Sequence, residues 1–201
     1  MTQRGGGSVS LGGAVQRAQV QYPGGLHARY RWAGTGRAAE VFAISEALGR
    51  LLDLGPLVAA QPDRLCRAEL HVEGPLGAWT ARFASLVYDE PRGVVWDSAG
   101  LLLVKYGFHL YALGNRSGEL AWSRASGTPI VTVLASPRLD HVLLQSEVET
   151  LALRQTGEVV WRAAHSEVIV AAELLAGNLV LTGYAGQHIG LDARSGQPSL
   201  G

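Results

Sequence analysis

Lysine is nearly absent from this chain: Lys105 is the only one among 17 basic residues, and the rest are arginine. Acidic residues also number 17, so the formal net charge is zero. Broad electrostatic binding of nucleic acid needs a basic face that displaces counterions, and the balance excludes that class of partner. Cysteine is as scarce. Cys66 stands alone, which rules out an intramolecular disulfide and a cysteine cage for metal. Its expected state is a buried apolar thiol. No apolar run approaches the ~18 residues of a membrane-spanning helix. The Gly/Ser-rich start, Met1 to Gly13, lacks the apolar core of a secretion signal. The expectation is a cytoplasmic chain with no membrane contact and a disordered tail over 1–13, where too little apolar surface offsets the ordering entropy.

Catalytic patterns are missing too. The histidines, His27, His71, His109, His141, His165 and His188, form no HxH, HxxxH or HExxH spacing, so no metal site is readable. Gly5-Gly6-Gly7 and Gly24-Gly25 lack the lysine and the strand–loop–helix context of a phosphate loop. Gly34-Thr35-Gly36 precedes a predicted helix but has no dinucleotide motif around it. No serine sits in a nucleophile elbow. The expectation is a non-enzymatic protein without cofactor or metal.

What the chain does have is hydrophobic residues, at 47%, in short alternating runs. Val15–Tyr22 and Leu26–Trp32 flank Pro23-Gly24-Gly25 and predict a hairpin. Apolar residues then fall at Ala38, Val41, Phe42, Ile44, Leu48, Leu51 and Leu52, three- and four-residue steps that predict a helix. Thr35 is its expected N-cap, and Gly55-Pro56 its expected stop. Arg67 to Val72 alternates as a half-buried strand, and a longer strand over 78–88 follows the Glu73–Gly77 turn. Residues 14–88 thus read as a β-β-α-β-β segment, separated by the Asp89–Gly93 loop from residues 93–201.

Residues 93–201 repeat. Strands are expected at 94–97, 101–106, 108–113 and 118–124, then at 130–135, 139–145, 148–154 and 157–163. The last set is 167–173, 177–183 and 187–192. Gly118, Gly157 and Gly196 recur every 39 residues, each after a Ser or Thr, and Trp122 and Trp161 follow two of them by four residues. A period near forty with four short strands per unit is the signature of propeller blades. The glycine supplies a turn position with positive φ. The tryptophan is a wedge between neighbouring blades, where ~150–250 Å² of buried aromatic surface contributes roughly 4–6 kcal/mol gross. The fold class is therefore mainly β: a partial or small array of about three four-stranded blades behind an N-terminal hairpin, helix and hairpin.

Leu191-Asp192-Ala193-Arg194-Ser195-Gly196 and the Gly118…Trp122 and Gly157…Trp161 spacings resemble the repeats of PQQ-like β-propellers, whose motif runs approximately Ala-x-Asp-Ala-x-Thr-Gly-x-x-x-Trp. Gly114 and Arg154 stand where that motif has Asp, and Leu200 where it has Trp. The resemblance implies the fold. It does not imply quinone or Ca²⁺ binding, because true quinoproteins of the family are much larger and carry residues that this chain lacks. Scaffolds of membrane-protein assembly and sensor domains are the members it favours.

Three units do not close a ring, and Pro198 stands where the last strand needs a donor. The N-terminal strands complete a ring, the array stays open with that segment packed on it, or two chains close one ring as a homodimer. One rim collects the loops between second and third strands and between units. Tyr106, His109, Arg124, His165, Tyr184 and His188 are the candidate binding residues there, with Lys105, Gln145, Glu147, Glu167 and Gln187 beside them. The partner expected on this rim is a protein; a small ligand is the alternative.

Overall fold

The computed structural model describes residues 14–43, 50–55 and 62–199. The expected tail over 1–13 and Leu200 lie outside them. Two antiparallel strands come first, β1 (Gln16–Tyr22) and β2 (Leu26–Ala33), hinged at Gly24 and Gly25, which both have positive φ. A 3-10 turn over Thr35–Arg37 leads into α1 (Ala38–Ala43). Then follow β3 (Arg50–Leu54), β4 (Cys66–Gly74) and β5 (Gly77–Ser85). The first sheet has the order β1-β2-β4-β5-β3. Its first four members form an antiparallel meander like that of a blade, and β3 adds a parallel fifth strand outside β5.

The long helix expected after Thr35 is thus corrected. Among the described residues six are α-helical, and Gly34 rather than Thr35 holds the cap position of the preceding turn, without a side-chain cap bond. Leu51 and Leu52 lie on a strand paired with Thr80 and Ala81. Pairing with β5 and the burial of Leu54 in the core outweigh the local helical spacing. Ile44 and Leu48 lie outside the described residues.

The second sheet comprises β6 (Arg92–Trp96), β7 (Leu101–Tyr106), β8 (His109–Gly114) and β9 (Leu120–Ala125) in sequence order. The third repeats it with β10 (Ile130–Leu134), β11 (Val142–Ser146), β12 (Glu149–Leu153) and β13 (Val159–Ala164). The fourth has three strands, β14 (Ile169–Leu175), β15 (Asn178–Gly183) and β16 (His188–Asp192). Its fourth position holds a single bridge, Leu191 to Pro198, and a bond from the Ser199 N–H to the Gly190 carbonyl (2.9 Å). All eleven strands expected after residue 93 are present.

Three cores join these four sheets. The first lies between Tyr30, Leu70 and Phe83 on one side and Leu102, Val104 and Tyr106 on the other. The second joins Leu103 and Ala112 to Val142 and Leu144, and the third joins Leu143 and Ala152 to Leu179 and Leu181. Central strands such as Leu101–Tyr106 are buried on both faces, which is why Leu101 to Val104 reads as an unbroken apolar run. Among the described residues no core joins the fourth sheet to the first, so the array is a partial propeller.

The outer face of the first sheet is polar, and that of the fourth is mixed, with Val180 and Leu175 among its polar residues. On the first sheet Glu69 is buried and accepts from Arg31 (2.7 Å) and Arg82 (3.1 Å). Phe42 of α1 stacks beneath Arg67 and Arg82. On the fourth sheet the outward row of β15 is Asn178, Val180 and Thr182, where the third sheet has His141, Leu143 and Gln145.

Each joint between sheets is made the same way. A Cβ added to Gly118 would lie 2.6 Å from the Trp79 ring, one on Gly157 2.9 Å from Trp122, and one on Gly196 2.5 Å from Trp161. The recurring glycine therefore has two jobs: a positive φ (68°, 83° and 71°) and room for the preceding sheet's indole. The first of these tryptophans, Trp79, is in the N-terminal sheet, outside the 39-residue repeat that the sequence makes visible.

Candidate functional site

The β7–β8, β11–β12 and β15–β16 hairpins and the connections between sheets share one rim. Main-chain bonds stitch that rim together. Ile130 N–H donates to the Gly107 carbonyl (2.9 Å), and Ile169 N–H to the Glu147 carbonyl (2.7 Å). Glu147 N–H donates to Pro129 (3.2 Å), His165 N–H to Val148 (2.8 Å) and Tyr184 N–H to Val168 (2.8 Å). The backbone is thus satisfied internally and the side chains are free to face outward. At the start of the row a carboxylate replaces the carbonyl: Gly107 N–H donates to Asp89 Oδ2 (2.8 Å). Lys105 donates to both oxygens of Asp89 (2.8 and 3.0 Å) and is itself buried. A buried ammonium needs such a partner, because losing it leaves an uncompensated charge.

The innermost strands β6, β10 and β14 border a cleft of about 370 Å³ that opens on this rim. Asp89, Lys105, Glu90, Arg92 and Glu147 supply its charges, and Val131, Val168 and Val170 its apolar wall. Arg92 is bound to Glu90 (2.7 Å), so both cations of the cleft are committed. Large apolar side chains stand exposed around it. Leu86, Tyr88, Val148, Val168 and Tyr184 are all on the surface, and Tyr184 is 83% exposed.

The six candidate residues separate. Tyr106 is corrected: it is fully buried in the first core against Phe83, and burial pushes its phenol far above the ordinary value. It shares a strand face with Leu102 and Val104, which points it inward. His109 is half-buried, stacks on Tyr111 (5.7 Å) and has its pKa lowered by that burial. Arg124 is half-buried on β9, paired with Leu110. His165 closes a buried chain: its Nε2 donates to Thr150 Oγ1 (2.8 Å), which donates to Gln145 Oε1 (2.5 Å). Burial lowers its pKa against the opposing pull of Glu149 and Glu167. Tyr184 is the most open of the six. His188 faces away from the rim loops, with Nδ1 3.3 Å from Thr182 Oγ1 on the outer face of the fourth sheet.

Reading loops alone missed Asp89, Tyr88, Val168 and Val170. Asp89 looks like part of an ordinary charged linker. The valines look like core until the exposure of the innermost strand is known. Among the described residues no group of three or more His, Cys, Asp or Glu is placed to hold a metal, and no helix is long and apolar enough to cross a membrane.

No protein-family model matches the chain, and no curated protein matches it. Among solved structures it is similar to BamB from Moraxella catarrhalis, with 13% identity and a TM-score of 0.54, over 94% of this chain and 66% of that one. It is similar to the computationally designed Ika4 protein, with 9% identity and a TM-score of 0.50, over 75% of this chain and 94% of Ika4. The N-terminal domain of Nup159 matches with 13% identity and a TM-score of 0.44, over 54% of this chain. The chain spans just under two thirds of BamB and about a third of the Nup159 domain. At these identities the likeness to BamB shows one thing about this chain: its mainly β sheets form a partial β-propeller-type array.

Proposed function

We propose that this chain is a non-enzymatic interaction or scaffold module built on PQQ-like repeats, and that its stitched rim is the surface that takes a protein partner. The observation that carries the reading is the gathering of exposed Leu86, Tyr88, Val148, Val168 and Tyr184 on one rim above a backbone that is already hydrogen-bonded. Aromatic and apolar side chains held on rigid main chain lose little entropy when they are covered. The PQQ-like assignment is supported by the indole-on-glycine joints and by the resemblance to BamB, a PQQ-like propeller protein.

A photo-crosslinking residue placed at Tyr184, and separately at Leu76 on the opposite rim, tests the reading in cells that express the chain. The expected result is a discrete protein adduct from position 184 and none from 76. Equal labelling at both positions contradicts it. A small-ligand or sensor role is the second reading, favoured by the cleft of about 370 Å³. A compound that binds there raises the melting temperature, which separates the two readings.

A further inference from the structure

We infer that the rim cleft receives a single basic side chain, an arginine or lysine carried on an extended, apolar segment of the partner protein. The inference rests on the rim's role as a docking surface and names the chemistry that the surface recognises. Lys105 is locked to Asp89 and Arg92 to Glu90, which leaves Glu147 as the cleft's charge without a cation partner among the described residues. The residual charge of the cleft is therefore negative. Glu147 is also held from both sides, its N–H on Pro129 and its carbonyl on Ile169, so the carboxylate is presented from a fixed backbone.

The wall beside it is apolar and open: Val168, just before β14, is 42% exposed, and Val170 on β14 is 47% exposed. A long cationic side chain fits both features. Its methylene stem covers the valines, and its head reaches the carboxylate. About 370 Å³ accommodates one or two side chains and no folded element. The flanking residues of the segment then meet Val148 and Tyr184 on the rim. An acidic or purely apolar segment leaves Glu147 facing like charge or desolvated without a partner, and that is the source of discrimination.

The test is a selection of phage-displayed random nonapeptides on the full 201-residue chain, followed by titration of a synthetic consensus peptide. We expect enriched sequences with one Arg or Lys between apolar residues. The consensus peptide should shift the amide signals of Glu147, Val168 and Val170. Glu147→Gln should weaken binding roughly tenfold at an unchanged melting temperature, while Arg→Gln in the peptide should cost about the same. Enriched peptides that lack a basic residue, or that bind Glu147→Gln as tightly, overturn the inference. If such peptides still shift Tyr184 and Val148, the rim reading survives without it. If no peptide is enriched, or none shifts a rim residue, both fail.

Discussion

The first and last joints of the array use one geometry with different chemistry. At the first, Trp79 is almost fully buried, lies over Gly118 and donates its Nε1–H to the Asn115 carbonyl (3.3 Å). The middle joint repeats this with Trp122, Gly157 and the Gln155 carbonyl (2.6 Å). At the last, Trp161 lies over Gly196 but its Nε1–H has no partner. The corresponding carbonyl, that of Ala193, accepts instead from His141 Nε2 (2.8 Å), a histidine that stands edge-on to Trp161. One acceptor has changed donors. The shape of the joint is kept by the glycine and the indole. The polar contact is interchangeable, and at the last joint it leaves a buried donor unsatisfied. Among the described residues the fourth sheet also has no full outer strand, so both differences point to a stability that falls along these four sheets.

Replacing the tryptophans breaks the comparison most directly. Trp79→Ala should cost about 3–5 kcal/mol, as for a buried aromatic, and Trp161→Ala about 1–3, since its indole is half-buried and makes no hydrogen bond. Chemical denaturation of each variant checks the order, and equal losses would remove the gradient. Adding a methyl group comes next. Gly118→Ala and Gly196→Ala each combine a strained positive φ with a clash against an indole, and each should cost about 1–3 kcal/mol. The melting temperatures of the two variants should drop in parallel, because this part of the joint is shared.

His141→Phe sharpens the polar difference. It removes the donor to Ala193 and should cost about 1–2 kcal/mol, confined to the last joint. If Trp161 turns to take the freed carbonyl the loss shrinks, and the indole resonance of Trp161 moves to show it. The smallest expected effect is on pH. Burial lowers the pKa of His165, which tilts its stabilising contribution toward neutral pH. That contribution is full above the ordinary histidine value of about 6.5 and is lost as pH falls through the lowered one. His165→Gln should therefore flatten the fall in melting temperature between pH 7 and 5. An unchanged slope would assign the acid sensitivity to another group.

Residues 93–201 were legible because the pattern is local and repeated. Each glycine turn sits between strands a few residues apart, and the period shows itself without knowledge of the partner sheet. The N-terminal sheet was only partly legible. Its hairpins announced themselves, but β3 is a parallel edge strand whose pairing with β5 spans some thirty residues, and its leucines happen to fall at helical steps. Trp79 makes the same kind of joint as Trp122 and Trp161, yet it stands two positions after a glycine, Gly77, where they stand four after theirs. The site shows the same division. Tyr184 and Glu147 were found as loop residues. Tyr106 was misplaced although Leu102 and Val104 already gave the parity that buries it. The Asp89–Lys105 pair depends on a fold-level contact that no spacing reveals.

Hydrogen–deuterium exchange on the intact chain tests the central claim, that three joints of one shape and decreasing completeness hold the array together. The account predicts the slowest exchange in β4, β5, β7 and β8 around Trp79, intermediate exchange in β11 and β12, and the fastest in β15 and β16. Equal protection of β15–β16 and β7–β8 would contradict it, and would mean that the fourth sheet is held by something other than its joint to the third.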